Sequence, residues 1–429
     1  MEQYEGYKFA PKQFLIGVQF LFVAFGALVL MPILTGLDVS VALFTAGLGT
    51  IAFQIVNYKC IPPIFLASSF AFISPIKDSI EKWGIGATMF ATVCAGAFYI
   101  ILSFIVRFKG SDFIHKLLPP IVVGPVIISI GLILSPAAIS MATAQGIENI
   151  TKNEAMLVSG ISLLSCILAI TFGKKIISLI PILCGIAAGY VAGIIIGIVD
   201  FENIAKASWF SIPNFTFAKI SDFNLNAVLF MLPIAIAPTI EHIGNIVAIS
   251  SITKHDFIKT PGLKTTLLGD GIATSLASFF GGPPNTTYSE VTGAIKITKM
   301  YNPCIMTFAA ISSMILAFVG KLNAFINSIP TPVIGGIMVL LFGVIASVGM
   351  ESLIKNKTDL SNPRNMIIIS LILVSSLGGL EISFGFINLS GISLGAIVGI
   401  VLNMILPKGE KLKEIEQGLD NTQNIKENE

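Results

Sequence analysis

Apolar positions along this chain neither alternate nor recur at helical spacing. They run on unbroken. Residues 14–37, 39–58, 85–106, 117–147, 155–173, 176–199, 301–320, 322–350 and 382–406 contain no Asp, Glu, Lys or Arg, and 227–250 contains a single acid. A bilayer core of about 30 Å needs about 20 helical residues, so each run reads as a membrane-spanning helix. Shorter apolar pieces lie at 60–75, 265–282 and 365–380, and a polar-interrupted stretch lies at 283–297. The pattern predicts an all-α polytopic membrane protein with fourteen transmembrane segments.

Composition agrees. Of 429 residues, 54% are hydrophobic and 12% charged, and ten of the charges crowd into residues 407–429, which read as a solvated tail. A soluble enzyme, a nucleic-acid binder and a disordered chain are excluded. Residues 1–13, with two Glu and two Lys, read as a tail rather than the basic start of a secretory leader. The five cysteines show no C-x-x-C spacing and read as small buried hydrophobes. Of the three histidines, His115, His242 and His255, only His242 falls within a span. No Walker-type loop is present either, so neither a cofactor, a metal nor ATP is expected.

Fourteen crossings place both termini on one side. Loops and tails of that side hold 20 of the 26 Lys and Arg, which predicts cytoplasmic termini in a plasma membrane. The residues 201–223, with Trp209 and Phe210, read as an interfacial hairpin on the outer face, and Glu381 as a loop residue.

The chain also echoes itself. Pro120, Gly124 and Gly131 match Pro332, Gly336 and Gly343 at an offset of 212 residues, and Pro62-Pro63 matches Pro283-Pro284 at an offset of 221. Seven crossings per half is odd, so the second half is inverted, a 7+7 inverted repeat of the kind secondary transporters use. Both Pro-Pro stretches are short, polar and broken where a spanning helix would be continuous. Non-helical backbone survives at membrane depth only where protein buries it or it lines a wet cavity. Paired broken segments therefore point to a transport site, with half-helix N–H groups aimed at the ligand.

Carboxylates at bilayer depth cost about 2.5–3.5 kcal/mol on insertion scales and are usually functional. Glu241 lies mid-span after Pro233 and Pro238, and Glu290 lies at the second broken stretch. Asp270, six residues after Lys264, reads as an interface residue or a helix start. Glu241 and Asn245 stand four apart on one helix face and can hydrogen-bond. His242 points about 100° away, toward packing or a supporting contact. Paired acids disfavour anions. They suit a cation, or a neutral planar molecule rich in N–H donors, and a nucleobase fits this inventory better than an amino acid.

The motifs carrying this chemistry are Gln19 with Phe25-Gly26-Ala27, the run from Ser68 to Pro75, Glu241-His242-Ile243-Gly244, and Pro284-Asn285-Thr286-Thr287-Tyr288-Ser289-Glu290. On these the chain resembles, over residues 10–406, the nucleobase–ascorbate transporter family, which includes uracil and xanthine permeases. The resemblance implies a core domain from segments one to four (14–107) and eight to eleven (225–320). It implies a gate domain from 117–200 and 322–406, and two short antiparallel strands in segments three and ten. It implies that Glu241 and Glu290 take the nucleobase N–H groups, and that backbone at Phe70 and Ser289 meets its carbonyls. Ala27, Tyr288 and Phe342 complete the substrate site. It implies symport of a nucleobase, uracil foremost, with a proton, in contact with membrane lipid and as a homodimer like known members. Glu241, Glu290, Asn245 and His242 are the coupling candidates. The family often has His at the positions of Phe20 and Asn245 and Gly at that of Ser289. These departures leave xanthine or another purine, and sodium coupling, as the alternative. Gly124, Gly131, Gly336 and Gly343 are expected to let core and gate slide closely. A channel would need rings of like groups, which the sequence lacks.

Overall fold

The computed structural model describes residue 4 and residues 6–110, 118–147, 150–174, 177–384 and 387–407. His115 and the tail at 408–429 lie outside them. Helix α1 spans Phe14–Thr35 and ends on Gly36, whose φ of 75° suits glycine. Helix α2, Val39–Val56, starts where the Asp38 carboxylate accepts from Ser40 and Val41 N–H groups. After Pro62-Pro63 the chain forms strand β1, Leu66–Ser68, then a 3₁₀ turn at Phe70–Phe72. Helix α3, Ile73–Lys109, is broken by Gly84 at φ 81° and ψ 167°, a conformation open to glycine alone, so it makes two segments.

Helices α4 (Pro120–Ile133) and α5 (Ser135–Ala142) form segment five. Helix α6, Lys152–Phe172, opens with a capping box between Thr151 and Glu154, and α7 spans Pro181–Ile196. The short α8, Glu202–Lys206, has its last carbonyls capped by Lys321 Nζ, at 2.7 Å from Ile204 O and 2.9 Å from Ala205 O. Segment eight is α9 (Leu225–Met231), a 3₁₀ turn at Pro233–Ala235 and α10 (Ile236–Thr253). Helix α11, Leu263–Phe279, leads to Pro283-Pro284, strand β2 (Asn285–Thr287) and the half-helix α12 (Ser289–Thr298). Then come α13 (Cys304–Ala317), α14 (Gly320–Asn327), α15 (Thr331–Lys355) and α16 (Pro363–Leu377). Strands β3 (Glu381–Phe384) and β4 (Ile387–Ser390) form a hairpin before α17, Gly391–Ile405.

The fourteen expected segments are present among the described residues. Seven helical stretches are long and apolar enough to cross a membrane, and four shorter apolar helices accompany them. Three expectations need correction. Residues 322–350 are not one helix, because Pro330 stops α14 and α15 restarts at Thr331. Glu381 opens strand β3 rather than lying in a loop. Residues 201–223 form no hairpin of their own: Phe210 bridges to Val319 and stacks on Phe318 at 5.8 Å.

Packing gathers the helices into two sets. In one, α3 and α2 pack on α11, while α13 packs on α1 and α2. In the other, α15 packs on α4, α5 and α6, α7 on α6, and α16 on α17 and α4. Contacts between the sets are sparser, chiefly α9 with β4, α1 with α7, and α10 with α4 and α17. The glycines expected at a sliding surface instead bind helices within the second set. A Cβ on Gly131 would stand 2.4 Å from Phe342 O, one on Gly124 2.6 Å from Leu353 Cγ, and one on Gly336 2.2 Å from Ser159 O. Gly343 faces open space.

Candidate functional site

Proline supplies no N–H and cannot continue a helix, so each Pro-Pro pair, a few residues past the end of α2 or α11, keeps the chain non-helical inside the protein. Just past the two pairs, a buried antiparallel ladder joins the two halves: Leu66 opposite Thr287, Ala67 opposite Thr286, Ser68 opposite Asn285. Ser69 N extends it by donating to Pro284 O at 2.9 Å. Two three-residue strands are not stable alone. Surrounding helices hold them with side-chain hydrogen bonds, each strengthened by the absence of competing water. From α2, Thr50 Oγ1 accepts from Leu66 N at 3.0 Å. From α11, Thr274 Oγ1 donates to Asn285 O at 2.6 Å. From α10, Asn245 Nδ2 donates to Thr287 O at 2.7 Å. Asn285 Nδ2 in turn donates to Thr45 O at 2.9 Å. Gly49 makes room for that amide, because a Cβ there would stand 2.4 Å from Asn285 Nδ2.

Both strands run into helix starts. Ser69 precedes the turn that leads to α3, and Tyr288 is the N-terminal flanking residue of α12. The first N–H groups of each helix lack intrahelical partners and carry the positive end of its dipole. The Phe70 and Tyr288 rings stand 6.4 Å apart at 50°.

Glu290 is the second residue of α12, and Glu241 comes from the facing α10. Each is only partly buried. They lie within electrostatic reach of one another, and the Tyr288 phenol lies within reach of both. The Tyr288 hydroxyl is buried without a hydrogen-bond partner. Ala27 and Phe342 are fully buried, in the same apolar cluster as Phe70 and Tyr288. Ser289 opens α12, where its backbone alone is described. The arrangement brings together two carboxylates, two helix starts and aromatic side chains.

Two expectations change. The Asn245 amide donates to Thr287 rather than to Glu241, so it secures strand β2 instead of the acid. Asp270 is no interface residue. It sits fully buried in α11, with Oδ2 3.3 Å from His242 Nδ1. His242 Nε2 lies 3.0 Å from Thr266 Oγ1. Sequence reasoning also missed Thr45, Thr50, Thr274 and Tyr99. Only the i, i+4 spacing of Asp270 and Thr274 hinted that one face of α11 meets the strands.

Cys60 is not merely a small hydrophobe, since its Sγ lies 3.2 Å from His255 Nε2. Tyr4 covers the pair, its ring 4.9 Å from that of His255, and burial pushes its hydroxyl pKa up. Among the described residues no three of His, Cys, Asp and Glu converge as metal ligands would.

Comparison with known proteins places this geometry. The Permease family matches residues 11–384. A "Probable uracil permease" of Pasteurella multocida is 50% identical over 399 residues, covering 93% of this chain and 94% of that one. The "Uracil permease" of Bacillus subtilis is 41% identical over 403 residues, covering 92% of each. Among solved structures, the transmembrane domain of a cyanobacterium bicarbonate transporter, BicA, aligns with a TM-score of 0.67. It is 14% identical and covers 94% of this chain and 99% of that one, so the likeness is one of fold. The chain is therefore a multi-pass membrane transporter, not an enzyme, and belongs to the permease family of uracil and xanthine permeases to which its motifs pointed.

Proposed function

We propose that this protein imports a nucleobase, uracil foremost, by proton symport with alternating access. The observation that carries the reading is the placement of Glu241 and Glu290, two partly buried carboxylates in mutual electrostatic reach beside the β1–β2 ladder. Uracil is flat and neutral, with two ring N–H donors and two carbonyls. The acids accept from the N–H groups, and charge-assisted bonds of this kind are about twice as strong as neutral ones. Backbone N–H groups at Phe70 and Ser289 donate to the carbonyls, while Ala27, Tyr288 and Phe342 bound the ring. Relatives named uracil permease along nearly the whole chain support the substrate.

The two packing sets act as core and gate, 14–107 with 225–320 against 117–200 with 322–406. The sparse contacts between them support relative movement, and matching Pro-Pro breaks in two seven-segment halves support an inverted repeat. The bias of Lys and Arg supports cytoplasmic termini. Proteoliposomes holding the purified protein are expected to accumulate labelled uracil under an inward proton gradient. Excess unlabelled uracil should block the signal and xanthine should not. Block by xanthine alone would replace uracil with a purine.

A further inference from the structure

Cys60 and His255 belong to the loops that follow α2 and α10, 195 residues apart in the chain. Each loop is folded so as to present a donor atom. Cys60 N donates to Asn57 O at 2.9 Å, which turns the chain back at the end of α2. After α10, Asp256 O accepts from Lys259 N at 3.2 Å and from Thr260 N at 2.9 Å. That turn carries the Thr260 carbonyl oxygen back to within 3.2 Å of His255 Nε2 and 3.5 Å of Cys60 Sγ. With 3.2 Å between Sγ and Nε2, the three atoms close a triangle.

Sulfur, imidazole nitrogen and oxygen bind Zn²⁺ at about 2.0–2.3 Å, so two ligand atoms of a tetrahedral site stand about 3.3–3.7 Å apart. The edges of this triangle, 3.2, 3.2 and 3.5 Å, need to open by only a few tenths of an ångström for one ion to touch all three atoms. Hydrogen bonding within the trio holds the two loops in that arrangement beforehand. Thiolate favours Zn²⁺, Cd²⁺ and Cu⁺, and imidazole suits zinc and copper, whereas Ca²⁺ and Mg²⁺ take oxygen ligands. Cys60 is buried, but His255 is partly exposed and opens the trio to solvent. The Tyr4 hydroxyl donates to Ile61 O at 2.9 Å and lies 3.9 Å from Sγ, so its oxygen, or water, can take a fourth position. Lys59, beside Cys60 in the chain, turns aside onto the Tyr58 ring, 5.9 Å from its centre.

We infer that Cys60 Sγ, His255 Nε2 and the Thr260 carbonyl form a binding site for a thiophilic divalent cation of the Zn²⁺ class. The thiol proton leaves to water as the sulfur–metal bond forms, and the neutral imidazole offers the Nε2 lone pair while keeping its hydrogen on Nδ1. The balance is Cys–SH + M²⁺ → Cys–S–M⁺ + H⁺. The proposed topology puts both loops on the cytoplasmic side, where thiols stay reduced. Cys60 stands two residues before Pro62, which leads into β1, and His255 two residues past α10, which carries Glu241. A bound ion therefore clips together the ends of two segments that build the substrate cradle, and it stabilises the folded chain by mass action. The site stands whichever base the carrier moves.

Calorimetric titration of Zn²⁺ and of Cd²⁺ into the reduced, detergent-purified full chain tests the site, with the ultraviolet thiolate-to-cadmium band as a second readout. The wild type should bind one Cd²⁺ per chain in competition with Zn²⁺, develop the band, release a proton and melt at a higher temperature. Ca²⁺ and Mg²⁺ should do none of these. Cys60→Ser should remove the band and weaken binding at least about tenfold. His255→Gln should weaken binding as much, since even a group that only orients a metal ligand is worth about 10–100-fold in affinity. Should Cys60→Ser fail to fold by size-exclusion profile, His255→Gln, at a partly exposed position, decides alone. Wild-type Cd²⁺ affinity in either folded variant overturns the inference, as does a wild type that binds neither ion. A band that persists in Cys60→Ser places the ion on another cysteine and overturns it equally.

Discussion

At the scale of single residues, a few buried amides and hydroxyls fix the ladder that the carboxylates flank. Asn285 shows how tightly. Its side chain donates to Thr45 O, its carbonyl accepts from Thr274, and Gly49 leaves it the space. Gly49→Ala should displace that amide and leave buried polar atoms unpaired, at a cost of about 1–3 kcal/mol. Thermal unfolding in detergent should show a lowered midpoint and uptake should fall together. An unchanged midpoint would mean that the amide has slack that the geometry denies. The candidate residues were partly legible. Glu241 and Glu290 stood out because acids are rare in apolar spans. Asp270 was misread because Lys264 lies six residues before it. Its depth became plain only with α11 starting at Leu263, which carries Asp270 about 10 Å into the helix. Its partner His242 is 28 residues away on another helix, a pairing that no periodicity reveals.

At the scale of elements, the interruptions proved more informative than the runs. The Pro-Pro pairs marked the two interrupted segments in which β1 and β2 lie, and the charged stretch between the apolar runs 60–75 and 85–106 falls where Gly84 breaks α3. Glycine spacing was legible as close packing but not as to its partner. Gly124 and Gly131 face α15 within one packing set, whereas the sequence suggested a moving surface. The reason is that small residues permit close approach by any helix. Their mutual contact yields a prediction. A Cβ on Gly349 already falls 2.6 Å from Gly124 O, so Gly349→Leu must force α4 and α15 apart, an overpacking worth about 1–3 kcal/mol. The melting midpoint should drop. Uracil binding, measured well below that midpoint, should weaken less than in Glu241→Gln or Glu290→Gln, because α15 brings the Phe342 wall but neither helix carries Glu241 or Glu290. Complete loss of binding in folded Gly349→Leu protein would mean that this helix pair contributes more to the site than the Phe342 wall.

At the scale of the whole molecule, the proposed alternating access has the two packing sets move past one another, and the structure identifies where they touch. A Cβ on Gly26 of α1 would stand 2.4 Å from Ile182 Cδ1 of α7, a close approach between sets. Cysteines at both positions, in a background without the five native ones, should form a disulfide on mild oxidation. Uracil uptake should stop when the bond forms and return when it is reduced. Continued transport by the cross-linked protein would show that α1 and α7 travel together. Ten of the fourteen segments were legible as long apolar runs because lipid demands long apolar helices, while the interrupted ones were read from their Pro-Pro breaks and the shorter apolar pieces. Hydropathy said nothing of the division into two sets, which only the family resemblance implied, since every span is apolar whichever neighbour it meets.

The proposed substrate recognition has two acids gripping one neutral ring, and calorimetric titration of uracil into detergent-purified protein tests that most directly. The wild type should bind. Glu241→Gln and Glu290→Gln should each bind at least about tenfold more weakly, since a hydrogen bond to a charged group is worth about 1.5–3 kcal/mol. Wild-type affinity in either folded variant would contradict the assignment of that carboxylate, and wild-type affinity in both would leave the site without its chemistry.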